Sequence, residues 1–196
     1  MLALKLRVEN AKQDQTIHTV ALRAQIQIEA TRRTYNAREK ELLGDLFGDP
    51  ARWGQTLRPM LWTHASTVIP AFSGSTTADL QVPATFDFNV AATKYFHGVS
   101  DGDIPLNLMF SGTIFYTAGE QPLQVAPISW DKEARFKLPV KVWREMMELY
   151  YPNSAWLSVR KDVFNRLYEY KVRRGIQTWE ETLEGLLSGV EEQVVR

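Results

Sequence analysis

The sequence predicts an α+β chain, an antiparallel β-sandwich followed by a C-terminal helical region. Two observations predict it. Apolar residues alternate with period 2 over most of the first 138 residues, and from Pro139 onward they recur at helical spacing. No helices are interleaved with the strands, which argues against a parallel sheet and for stacked antiparallel layers; an immunoglobulin-like arrangement is one form such a sandwich takes.

Leu2, Leu4, Leu6 and Val8 alternate with Ala3, Lys5, Arg7 and Glu9, a strand with one buried face. A polar loop follows. His18, Val20, Leu22, Ala24, Ile26 and Ile28 then share one face of a second strand, predicted to form a hairpin with the first. Residues 36–62 break the pattern: a short helical stretch ends at Gly48 and Pro50, and Trp53, Leu57, Met60, Leu61 and Trp62 follow with no clear period. This reads as an insertion covering one end of the β-layer.

Strands resume at 63–72 and 73–83, the latter opened by the turn residues Ser73, Gly74 and Ser75. Phe86, Phe88, Val90, Ala92 and Phe96 suggest another strand. Ile104, Leu106, Leu108, Phe110, Ile114 and Tyr116 line a long one in which Gly112 marks a bulge or bend, and 123–130 gives a shorter one. The tail opens at Pro139 as a first helical residue, with Val142, Trp143, Met146, Leu149 and Tyr150 as its stripe. Pro152 stops that helix, and Ser154 is expected to cap the next, whose stripe is Trp156, Val159, Val163, Phe164 and Leu167. Gly175 closes it, behind Lys171, Arg173 and Arg174. Thr178 to Glu181 is a capping box for a last helix carrying Leu183, Leu186 and Leu187. The expected organisation is therefore a sandwich over 1–138, with its insertion at 36–62, and a helical region over 139–196 packed on it as one compact unit.

Chemistry is sparse. With 23 basic and 23 acidic residues the chain has no overall charge footprint for nucleic acid. It has no cysteine, which excludes disulfides, thiolate ligands and a Cys nucleophile. No run approaches the ~18 apolar residues of a membrane helix, and the start lacks signal-peptide character, so the expected location is cytoplasmic. His18, His64 and His97 are not at metal-ligand spacing. Asp101 and Asp103 flank Gly102 as turn residues rather than as an acid/base pair. Neither Ser73-Gly74-Ser75 nor Ser111-Gly112 is a nucleophile elbow, and no phosphate-binding glycine loop is present. Basic residues at 160–174 face an acidic stretch at 180–192 and read as internal charge balance. The expectation is a protein without catalysis, cofactor or metal. The rival is a small hydrolytic or ligand-binding enzyme using Asp87, His64 or His97 in a pocket beneath the insertion.

Aromatic content is the remaining anomaly, with six tryptophans and seven tyrosines. Trp, Tyr and Arg dominate protein-binding hot spots. Arg144, Tyr150 and Tyr151, with Trp53 and Trp62 of the insertion, are the candidate interface residues; Trp143 and Trp156 lie on predicted inner stripes and read as core.

The stretches LWTHAS, ATKYF, IPLNLMFSGTIFY, WDKEARF and YPNSAWL, within about residues 17–187, resemble an uncharacterised bacterial family common in actinobacteria. Genes of that family lie beside those for nickel–iron hydrogenases and their maturation proteins. The resemblance implies an accessory role: a scaffold, chaperone or assembly factor that binds a hydrogenase subunit or maturation protein. A chain without cysteine cannot itself ligate a nickel–iron or iron–sulfur centre through thiolates. The N-terminus is shorter than the resemblance implies, as if a first strand were missing. Self-association, for instance as a homodimer, is the alternative to an assembly role.

Overall fold

The computed structural model describes residues 1–12, 14–83, 90–154, 157 and 159–194, and it is an α+β chain with antiparallel sheets. It divides into two compact units, Met1–Ser154 and Ala155–Arg196, so the division falls one helix later than the change of rhythm at 139. The predicted strand residues Phe86 and Phe88, with Asp87, lie outside the described residues, as does Trp156.

In the first unit, in chain order, come β1 (Leu2–Glu9), β2 (Gln15–Ile28), α1 (Ala37–Leu42), α2 (Gly44–Phe47), α3 (Trp53–Thr56), β3 (Met60–Ile69), β4 (Ser75–Val82), α4 (Val90–Gly98), β5 (Asp103–Ala118), β6 (Gln124–Pro127), β7 (Glu133–Pro139) and α5 (Val140–Tyr150). One sheet holds β1 and β4; the other runs β3-β2-β5, with β6 and β7 both on the far edge of β5.

The predicted β1–β2 hairpin does not form. Both edges of β2 are occupied, by β3 and β5, so β1 pairs with β4 in the opposite layer and only faces β2. The facing layers bury Leu2, Leu4, Leu80 and Val82 against Ala24, Ile26 and Ile28. His18 is also corrected. The ladder between β2 and β5 slips between Ile17 and Thr19, so Ile17 takes the inward place and His18 is exposed, its Nε2 3.0 Å from Thr117 Oγ1.

From Val90 the predicted strand is instead α4. Its buried residues Ala92, Tyr95 and Phe96, with Val99 just beyond, follow the i, i+3, i+4, i+7 spacing of a helix, each at most 2% exposed. Phe96 stacks flat on Trp143 of α5, ring centres 4.8 Å apart, and meets Trp62 edge-on. Pro139 is the residue before α5 rather than its first, with extended backbone (ψ 130°). The insertion is a run of short helices whose Leu43, Phe47, Trp53 and Leu57 join the same core.

The second unit contains α6 (Lys161–Arg174) and α7 (Trp179–Val194). Arg160, not Ser154, precedes α6; the Ser154 hydroxyl bonds back to the Pro152 carbonyl. Gly175 closes α6 in the left-handed conformation, φ +65°, and Thr178 Oγ1 accepts from the Glu181 amide at the start of α7. Trp179 packs against Phe164 and Tyr168. No helix among the described residues is long and apolar enough to cross a membrane.

Candidate functional site

Two polar or open features stand out in the first unit. The first begins with Asn36-x-x-Glu39 at the start of α1, a reciprocal cap in which Asn36 Oδ1 accepts from the Glu39 amide and Glu39 Oε2 accepts from the Asn36 amide. The Glu39 side chain is 2% exposed. Its Oε1 accepts from Arg33 Nη2 at 2.7 Å and from the amide and hydroxyl of Ser100 at 2.7 and 2.8 Å. Arg33 in turn donates to the Asp103 carbonyl at the head of β5. Burial alone would raise the Glu39 pKa, but the Ser100 and Asn36 amides, the Ser100 hydroxyl and Arg33 outweigh it and hold the carboxyl below its ordinary range.

Beside this cluster Tyr35 donates its hydroxyl proton to the Ala30 carbonyl, so the 2.8 Å bond between the two phenols is supplied by Tyr95. Burial, then the neighbouring Tyr95, pushes Tyr35 far above the usual phenol value; burial likewise raises Tyr95. Both therefore stay protonated at physiological pH, and Glu39 has its oxygens taken by four donors. The arrangement is a clamp joining α1, the end of α4 and the start of β5, not a poised acid/base pair.

The second feature is a cleft of about 690 Å³ between the layers. Its floor is apolar: Ile17, Val20 and Leu22 from β2, and Phe110, Ile114 and Tyr116 from β5. Several inner-face apolar residues here, Leu6, Val8, Phe110, Ile114 and Tyr116, are only half-buried, because nothing among the described residues fills the space above them. The walls are strand edges. Successive residues Leu4 to Glu9 of β1 line one side, of both inward and outward parity, and Glu133 to Phe136 of β7 line the other. The β4 side contributes no wall.

The β7 wall has its own cause. Thr113 pairs Pro127 while Met109 pairs Glu133, so four steps along β5 face six along its neighbour. β6 and β7 are thus one edge strand interrupted by a two-residue bulge near Ser129–Asp131. Charges at the mouth are mostly basic, Lys5, Arg7, Lys12, Lys132 and Arg135 against Glu9 and Glu133.

The sequence-predicted interface residues scatter. Trp53 and Trp62 are buried, at 8% and 7% exposure, which removes them as surface anchors; Trp53 Nε1 bonds the Gly48 carbonyl and its ring meets Tyr35 edge-on. Arg144 is exposed but its guanidinium bonds the Val99 carbonyl at 2.8 Å. Tyr151 is half-buried against the main core, and Tyr150 is exposed on the last turn of α5. His64 and His97 are exposed on separate elements, β3 and α4. None of these lines the cleft. Sequence reasoning missed the clamp, although Asn-x-x-Glu is a readable capping signal, and missed the cleft, which no local pattern announces.

A match extends over residues 1–195 to a family described as a family of unknown function, DUF6084. The chain belongs to that family. No curated protein matches it, and no solved structure matches it. The DUF6084 assignment agrees with the resemblance to an uncharacterised family and carries no activity with it.

Proposed function

We propose that this is a non-catalytic accessory protein, cytoplasmic, that holds a partner protein in the cleft between β1 and β7. One observation carries the reading: an apolar space of about 690 Å³, in the size range of binding sites, left open between two strand edges. An apolar floor that stays half-covered costs stability unless something seats on it, and contiguous open apolar surface marks interaction sites. The specific partner we propose is a hydrogenase subunit or maturation protein, in line with the resemblance of the LWTHAS to YPNSAWL stretches; the lack of cysteine supports a helper over a cluster-bearing component. A second reading, self-association through the end of α5, is favoured by Leu149 and Tyr150, exposed at 76% and 58%.

Affinity purification from a native host tests the proposal. Wild-type protein is expected to bring down a hydrogenase component, and Leu6→Trp, which fills the cleft, is expected to lose it, while Tyr150→Ala retains it. Intact hydrogenase activity after deletion of the gene, together with no such component in the purified material, would overturn the assembly role. Retention by Leu6→Trp and loss by Tyr150→Ala would move the interface to α5.

A further inference from the structure

The register of the strands says what kind of segment the cleft accepts. In an antiparallel ladder, directly opposed residues alternate between pairs that exchange both backbone bonds and pairs that exchange none. The Asn10 amide donates to the Gly74 carbonyl at 2.7 Å, one step beyond the Glu9–Ser75 pair. The bonded pairs of β1 are therefore its even residues. The N–H and C=O groups of Ala3, Lys5, Arg7 and Glu9 point away from β4, and among the described residues β1 pairs with no other strand.

The same reading applies across the gap. The Val140 amide donates to the Gly102 carbonyl and the Phe110 amide to the Lys132 carbonyl, each an opposed pair, so even residues of β7 bond β5. Glu133, Arg135 and Lys137 then direct their backbone groups outward, and Pro139, which has no N–H to offer, falls on that outward edge. Two rows of outward-facing backbone groups thus border one apolar floor.

An ordinary exposed edge is blunted by charged side chains, and Lys5 and Arg7 serve that end. A blunted edge alone does not leave an apolar floor uncovered beside it. Small apolar ligands would fill the floor but leave both rows of backbone groups without partners. An extended peptide covers the floor and pairs with one of the rows.

We infer that the cleft takes an extended segment of a partner protein, which pairs with the outer edge of β1 by strand addition. This rests on the cleft being the binding site and names the chemistry of what binds. The stretch Leu4–Glu9 admits a segment of about six residues, roughly 20 Å at 3.3 Å per residue. Its inward residues, at every second position, are apolar. Its outward residues lie beside Lys5 and Arg7, and opposite charges across strands are favourable, so they are acidic. The present partners of Lys5 and Arg7, Asp79 and Glu9, are surface pairs with both cations 74% exposed, and they re-pair at little cost.

The test is amide-resolved hydrogen exchange by NMR on the full chain, with a capped octapeptide of alternating valine and glutamate as probe. The amides of Ala3, Lys5, Arg7 and Glu9 are expected to slow about ten-fold or more, while Leu4, Leu6 and Val8 change little. The same peptide N-methylated at alternate residues is expected not to bind. The double variant Lys5→Glu, Arg7→Glu is expected to bind the glutamate peptide about ten-fold more weakly and to prefer a valine–lysine one. The inference is overturned if the peptide does not bind, if it binds without slowing the odd-numbered amides, or if oleate occupies the cleft and the peptide cannot displace it. Should Leu6→Trp abolish partner capture while the captured complex leaves the odd-numbered amides unprotected, the cleft remains the site and strand addition alone is wrong.

Discussion

Glu39→Gln is expected to lower the unfolding free energy by about 3–5 kcal/mol, read by urea unfolding at neutral pH. The substitution keeps the shape and removes the charge. Arg33, with 8% of its side chain exposed, is then left as a buried cation whose remaining carboxylate, Asp101, lies 3.9 Å away and is 88% exposed. The two Ser100 bonds and the Asn36 bond lose their charged acceptor as well. The pH dependence has a definite sign. The carboxyl of Glu39 is held below its ordinary value of 4.5 in the folded chain, so its contribution is fully present above that value and is lost as pH falls through the folded one. The stability gap between wild type and Glu39→Gln is therefore constant through the neutral range and narrows below pH 4.5. A gap that widened with acid would contradict the clamp.

The second large effect is expected at Gly112→Ala. Gly112 has φ +139°, a conformation L side chains rarely adopt, and a Cβ there would lie 2.0 Å from the Ala21 carbonyl oxygen. That oxygen belongs to backbone in the middle of β2, which cannot retreat without opening the longest ladder of the fold. Backbone strain and several lost ladder bonds together suggest about 3–5 kcal/mol. Gly119→Ala is the matched comparison, since φ is also positive (+57°) but the space is open, and it is expected to cost about 1 kcal/mol. Thermal unfolding of the two variants, side by side, separates the close approach from the dihedral.

Gly112 also shows how far the sequence reaches. A glycine inside a strand pattern reads as a bulge or a bend, but the β2–β5 ladder runs through Gly112 without a shift, and the position is a close backbone approach instead. Strong alternation located β1, β2 and β5 because each buries one face. β7 was invisible for the opposite reason: in Glu133–Pro139 only Leu138 is buried, so an edge strand open to solvent leaves no period to read. At Val90–Gly98 the alternation through Ala92 and Phe96 omitted Tyr95, the fully buried residue that restores helical spacing. Pairing partners were the least legible. A short polar loop between two alternating strands suggests a hairpin, and nothing local reveals that both edges of β2 are already taken. The cleft inherits that difficulty, since it exists only because β1 crosses to the other layer and β6 and β7 bulge apart. The clamp was readable in part: Asn36 and Glu39 carry a capping signature, while Arg33, Tyr95 and Ser100 reach it from elsewhere in the chain.

Whether the partner sits in the cleft is decided by photo-cross-linking in the native host. A benzophenone amino acid placed at Val8, inside the cleft, is expected to give one dominant protein adduct. The same group at Val68, exposed on β3, or at Tyr150, at the end of α5, is expected to give none of that species. An adduct formed from Tyr150 and absent from Val8 would rule out the cleft as the partner's seat.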